Sequence, residues 1–178
     1  MNDRAFWLGN SVLRKSSSRA NGSAEDAAGV ENNRMKIIQL LNGALAIARA
    51  GALRAEQQYC AAYRSHSPGL AAAALEHANG TWMHAQRIAR RIAELGGESE
   101  GTYSAEDAPS AQAPSLIAMI SDDLLAQRAT IRSYRRIAAY CSNLDPVSQK
   151  MIEAIVADEE TSAGELAQLL QQPAPAAR

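Results

Sequence analysis

The sequence predicts an all-α protein, a four-helix bundle with a long crossover between its second and third helices. Three observations carry this. Apolar or small residues recur every three or four positions over four long segments. The apolar content leans on Ala, Leu and Ile with few aromatics, which suits closely packed helices better than strands. The outer two connections are short and the middle one is long.

The first helix is expected from about Asn33 to Ser65, on the stripe Ile38, Leu41, Leu45, Ala48, Ala52, Ala55, Tyr59 and Ala62. Ser67-Pro68-Gly69 ends it. The second runs from about Leu70 to Leu95, with His77, Thr81, His84, Ile88, Ile92 and Leu95 on one face and Gly96-Gly97 as its stop. The third begins near Ser115 and ends near Ser142. Its face is Leu116, Ile120, Leu124, Gln127, Ile131, Tyr134, Ala138 and Cys141. The fourth starts at about Pro146, a residue suited to the first helical position, and ends near Leu170. Its face is Ile152, Ile155, Glu159, Ser162, Leu166 and Leu169.

Short links make two antiparallel hairpins. The link from Gly96 to Pro114 is long enough to run the length of a bundle of about 40 Å, so helices two and three should be parallel. Cys60 and Cys141 then lie at opposite poles and cannot pair.

The termini read differently. Residues 1–32 lack a sustained apolar period and are expected to be a flexible arm, residues 33–171 the bundle, and 172–178 a disordered tail. The arm carries Arg4, Arg14, Lys15 and Arg19 beside the apolar stretch "FWLGNSVL". Two contacts suit it, DNA phosphates or a shell protein, and a terminus with neither role is the plainer alternative. A net charge of −1 demands neither nucleic acid nor anionic membrane. No apolar run approaches the roughly 20 residues of a membrane span. Two cysteines form no disulfide framework, so the expected location is the cytoplasm.

The interior faces place a polar layer at mid-bundle. Helix two presents Thr81 and His84, helix four Glu159 and Ser162, helix three Gln127, and helix one Ala52, or Ala48 if shifted by a turn. In di-iron carboxylate bundles this layer carries a Glu from each of two helices and a Glu-x-x-His pair from each of the others. Here the spacing of three is kept, but only His84 and Glu159 are good ligand types. A metal held by these two and a hydrogen-bonded His–Glu pair retained for packing are both open. His77 lies two turns, about 10 Å, from His84, so the two cannot share one ion.

The stretches "LEHANGTWMHAQRIARRIAELGGE", "SLIAMISDDLLAQRATIRSYRRIAAYCSNLDP" and "MIEAIVADEETSAGELAQLL" resemble bacterioferritin and its Dps-like relatives in the ferritin superfamily. The resemblance covers about Ile37 to Leu170. It implies the ferritin-like bundle, a role in iron storage and oxidative-stress defence, iron as the metal if one is held, and a homo-oligomer.

By that resemblance His84 and Glu159 match family ligands. Thr81, Gln127, Ser162 and Ala52 stand where other ligands are usual, with Glu56 the nearby carboxylate that could substitute. Trp82 stands at the haem-ligating Met, and Met83 is one position off, so haem is not expected. The departures imply a degenerate centre with ferroxidase activity lost or weak, and no enzyme is expected. The alternatives are a structural or partner-binding bundle and a metal protein with a rebuilt site. The tail "QQPAPAAR" is too short for the fifth helix of a 24-subunit cage, which favours a dimer or smaller cage.

Overall fold

The computed structural model describes residues 10–100 and 115–171. They form four helices, α1 (Asn10–Arg64), α2 (Pro68–Glu94), α3 (Leu116–Cys141) and α4 (Pro146–Gln171). The chain divides into two compact units, residues 1–37 and 38–178.

The start of α1 corrects the sequence expectation, which placed it near Asn33. The backbone is helical from Asn10, through most of the expected arm. No proline precedes Pro68, and the Ser16–Ser18 run and the glycines of this stretch are flanked by Ala, Arg, Lys and Glu, so nothing removes the backbone hydrogen bonds of a helix. An apolar stripe is required for burial, not for helicity, and its absence was the wrong criterion. In the first unit Arg34 pairs with Glu31 one turn back. Residues 1–9, most of the crossover (101–114) and the tail (172–178) lie outside the described residues. So do the side chains proposed for DNA or shell contact.

In the second unit the helix boundaries follow local chemistry. Pro68 opens α2 at a position whose N–H has no intrahelical partner. The helix closes at Gly96, which takes φ 74°, with Gly97 N–H reaching Ile92 O at 2.9 Å and Gly96 N–H reaching Ala93 O at 2.9 Å. Ser115 caps α3, its Oγ accepting from Ala118 N–H at 3.2 Å. Asp145 caps α4, its Oδ1 accepting from Ser148 N–H at 3.1 Å, and Pro146 follows it. The end of α1 uses the same closure as α2 without a glycine. His66 adopts φ 53°, and Ser67 N–H bonds Ala62 O at 3.0 Å.

Contacts fix the directions. Tyr134 Oη donates to Ala44 O while Arg54 pairs with Asp123, so α1 and α3 are antiparallel. His84 meets Glu159 and Arg91 meets Asp145 and Ser148, so α2 and α4 are antiparallel. Arg135 on α3 pairs with Glu160 while Ala138 and Ala139 lie near Glu153 and Val156, so α3 and α4 are antiparallel too. Helices α2 and α3 therefore run parallel, which is the long-crossover topology the loop lengths predicted. The start of the crossover is tied down by Asn42. Its Nδ2 donates to Glu98 O at 3.0 Å and its Oδ1 accepts from Glu100 N–H at 2.8 Å.

The core is built from the stripes read in the sequence. Leu41, Leu45, Ala48, Ala52, Ile88, Ile92, Ile120, Tyr134, Ile152 and Ile155 are all buried. Small residues on α1 let the helices approach closely, and the longer aliphatics fill the space opposite. Both cysteines are free, Cys60 exposed and Cys141 buried. Among the described residues, no helix is long and apolar enough to cross a membrane.

Candidate functional site

The polar layer is real, but its connections differ from the simple four-helix square. His84 sits at the centre of one arm. Its Nδ1 lies 3.1 Å from Glu159 Oε1 and its Nε2 lies 3.2 Å from Asp158 Oδ2. The imidazole thus bridges consecutive carboxylates of α4. The two are unequal, since Glu159 is 4% exposed and Asp158 59%. Arg87 adds a cation 3.7 Å from Asp158 on the wet side.

The second arm pairs Gln127 with His77, not with His84. Gln127 Nε2 stands 2.8 Å from His77 Nε2, and both side chains are buried. Between the arms is an interior cavity of about 10 Å³, about the space of one water. Thr81, Gln127, Glu159, Tyr134 and Arg54 line it. Besides Arg54, the lining residues on α1 are Ile47, Ala48 and Gly51. Ala52 is buried in the core and is not among the residues lining the cavity.

Glu56 does not reach this layer. It is exposed and accepts from Trp82 Nε1 at 2.7 Å. Ser162 lines a separate surface cleft and not the cavity.

Three polar atoms here have no partner among the described residues: Thr81 Oγ1, Gln127 Oε1 and Asp123 Oδ2. Asp123 is buried, with its other oxygen accepting from Arg54 Nε at 3.1 Å. Burial pushes the Tyr134 hydroxyl well above its ordinary value, the Glu159 charge pushes it further, and Arg54 opposes both. Tyr134 is therefore a neutral donor to the α1 backbone.

A two-iron site does not fit these residues. Two divalent cations need several carboxylates to offset their charge and desolvation. The cavity offers one carboxylate, Glu159, one imidazole already paired with Gln127, that of His77, the neutral oxygens of Thr81, Gln127, Thr130 and Tyr134, and the cationic Arg54. Among the described residues no three His, Cys, Asp or Glu side chains are grouped so as to hold a metal ion. The resemblance places the family's haem-ligating Met at Trp82. The neighbouring Met83 is 57% exposed.

Sequence reasoning brought out His84 and Glu159, which do meet. It missed Asp123, Arg54 and Asp158. Asp123 was detectable, because it lies one turn before Gln127 on the inward face of α3. Asp158 is 59% exposed and lies beside the inward stripe of α4, where periodicity does not single it out.

Four helices joined by one long crossover, with a His–carboxylate contact buried inside, define the class as a long-crossover four-helix bundle. A family model described as the ferritin-like domain matches residues 38–174, and the chain belongs to that family. Solved structures agree. The bacterioferritin of Desulfovibrio desulfuricans, described with its di-iron site in different catalytic states, is 26% identical, with a TM-score of 0.64, over 79% of this chain and 81% of that one. A dodecameric thioferritin from Bacteroides fragilis is 21% identical with a TM-score of 0.69, covering 83% of this chain and 92% of its own. An archaeal Dps homologue from Halobacterium salinarum is 16% identical with a TM-score of 0.68, covering 83% of this chain and 86% of its own. The last two show the fold alone. No curated protein matches the sequence.

Proposed function

We propose that this chain is a structural member of the iron-storage and oxidative-stress branch of its family, with the ferroxidase centre degenerate and two-iron oxidation lost. One observation carries the reading. The interior cavity between the two polar arms holds Thr81, Gln127, His77 and Arg54 around a single carboxylate, Glu159. Arg54 acts against a divalent cation there, and Glu159 is already hydrogen-bonded to His84. In place of metal–ligand bonds, the His84–Glu159 and Gln127–His77 pairs and the Arg54–Asp123 ion pair tie the helices together.

A rebuilt metal site using Glu56 is not favoured, because Glu56 is bound to Trp82 on the exposed side. Self-association is part of the proposal, as a dimer or small cage. Ile117 and Leu125 on α3 are 66% and 63% exposed, and they lie two turns apart on one outer face.

Aerobic Fe(II) oxidation tests the reading. The protein should add nothing to the rate of Fe(II) in buffer. A fast saturable phase that disappears in Glu159→Ala would overturn it.

A further inference from the structure

A surface cleft of about 200 Å³ opens between α1, the first turns of α2 and the second half of α4. Its polar lining is Gln58, Glu76, His77, Asp158, Ser162 and Glu165, with Thr161 at the edge. No lysine or arginine lines it. Glu76 and Glu165 are exposed and belong to no ion pair among the described residues. The deepest member is Gln58, which is 3% exposed and has an amide oxygen without a partner. A buried acceptor left unpaired is a standing penalty, which a donor in the cleft would relieve.

The arrangement is rich in acceptors and negative charge, and among the described residues only Asp158 of its carboxylates already meets a cation, Arg87 at 3.7 Å from outside the lining. It does not gather its carboxylates around one point, since no three His, Cys, Asp or Glu side chains are grouped to hold a metal ion among the described residues. Dispersed acceptors suit a cation whose N–H donors are themselves dispersed along a stem. Ala73, Ala74 and Leu166 supply apolar wall between the carboxylates, against which methylene groups can lie.

We propose that this cleft binds an aliphatic diammonium or polyammonium ion. One ammonium group sits between Glu76 and Glu165, and the other reaches inward towards the unpaired amide oxygen of Gln58. This goes beyond the reading of the metal layer and does not depend on it.

Isothermal titration of the full chain with 1,4-diaminobutane tests it. The expected result is saturable binding of one diamine per chain. Glu76→Gln and Glu165→Gln should each weaken it about tenfold, the loss of one charge-assisted contact. Asp122→Asn, an exposed carboxylate on α3 outside the cleft, should leave it unchanged. Butylamine, with one ammonium group, should bind at least about tenfold more weakly. Gln58→Leu should also weaken binding, and if that variant does not fold the two exposed glutamates decide. Three results would overturn the proposal: no saturable heat at millimolar diamine, wild-type affinity in both glutamate variants, or displacement of the diamine by an equal concentration of Mg²⁺.

Discussion

Removing either partner of the His84–Glu159 pair should destabilise the fold, and unequally. The two side chains are 3.1 Å apart and are 8% and 4% exposed. His84→Ala strips Glu159 of its hydrogen-bond partner in the core, and leaving a buried charge unpaired costs about 3–5 kcal/mol. Glu159→Ala leaves His84 still bonded through Nε2 to Asp158, so the loss is nearer the 1–3 kcal/mol of an ordinary buried hydrogen bond. Asp158→Ala should cost no more than about 1 kcal/mol, because that carboxylate is 59% exposed. The double substitution His84→Ala/Glu159→Ala should cost less than the two singles together, by about 1–3 kcal/mol. Urea unfolding followed by far-ultraviolet circular dichroism measures all four, at one fixed neutral pH. Losses that add to within about 0.5 kcal/mol would mean the side chains do not interact, and the layer described above would be wrong.

Other expectations concern the bundle ends. Burial pushes the Asp145 carboxyl up, but bonds from Ser148 and from Arg91 at 2.8 and 2.9 Å outweigh it and hold the group below its ordinary value. Its contribution is therefore complete above the unfolded carboxylate value of about 3.9 and is lost as pH falls through the lower folded value. Acid unfolding curves of wild type and Asp145→Asn should converge as pH drops through that window, and a constant gap would contradict the assignment. Burial pushes the Cys141 thiol up to about 11, with Asp145 adding to the effect and Arg91 opposing it. A thiol reagent at neutral pH should accordingly titrate one cysteine, the exposed Cys60, and the second only after denaturation; two fast thiols would be inconsistent. His66 holds a left-handed conformation at φ 53°, so His66→Gly should raise stability by about 1 kcal/mol in thermal unfolding, and a loss would show that the imidazole has a compensating role.

The bundle was legible because its signals are local and repeated. The stripes of α2, α3 and α4 carry Ile88, Ile92, Ile120, Ile152 and Ile155 at helical spacing, and these are the residues found buried. Loop lengths then fixed the topology. The start of α1 was not legible because a helix without an apolar stripe looks like a polar loop in sequence. The layer was legible in its residues and not in its pairings. Periodicity says which side chains point inward, but whether Gln127 meets His84 or His77 depends on helix stagger and rotation. Those are set by the packing of Ala48, Gly51 and their neighbours across the bundle. Asp123 escaped for another reason. A buried aspartate is unexpected unless its counter-ion is known, and Arg54 lies far from it in sequence.

The central claim is that the interior layer replaces a two-metal site with side-chain pairs. Anaerobic equilibrium titration with Fe(II), run in parallel on wild type and Glu159→Ala, addresses it most directly. The account predicts no tight binding of two irons per chain and no difference between the two proteins beyond weak surface association. Two tightly bound irons per chain, absent from Glu159→Ala, would contradict it.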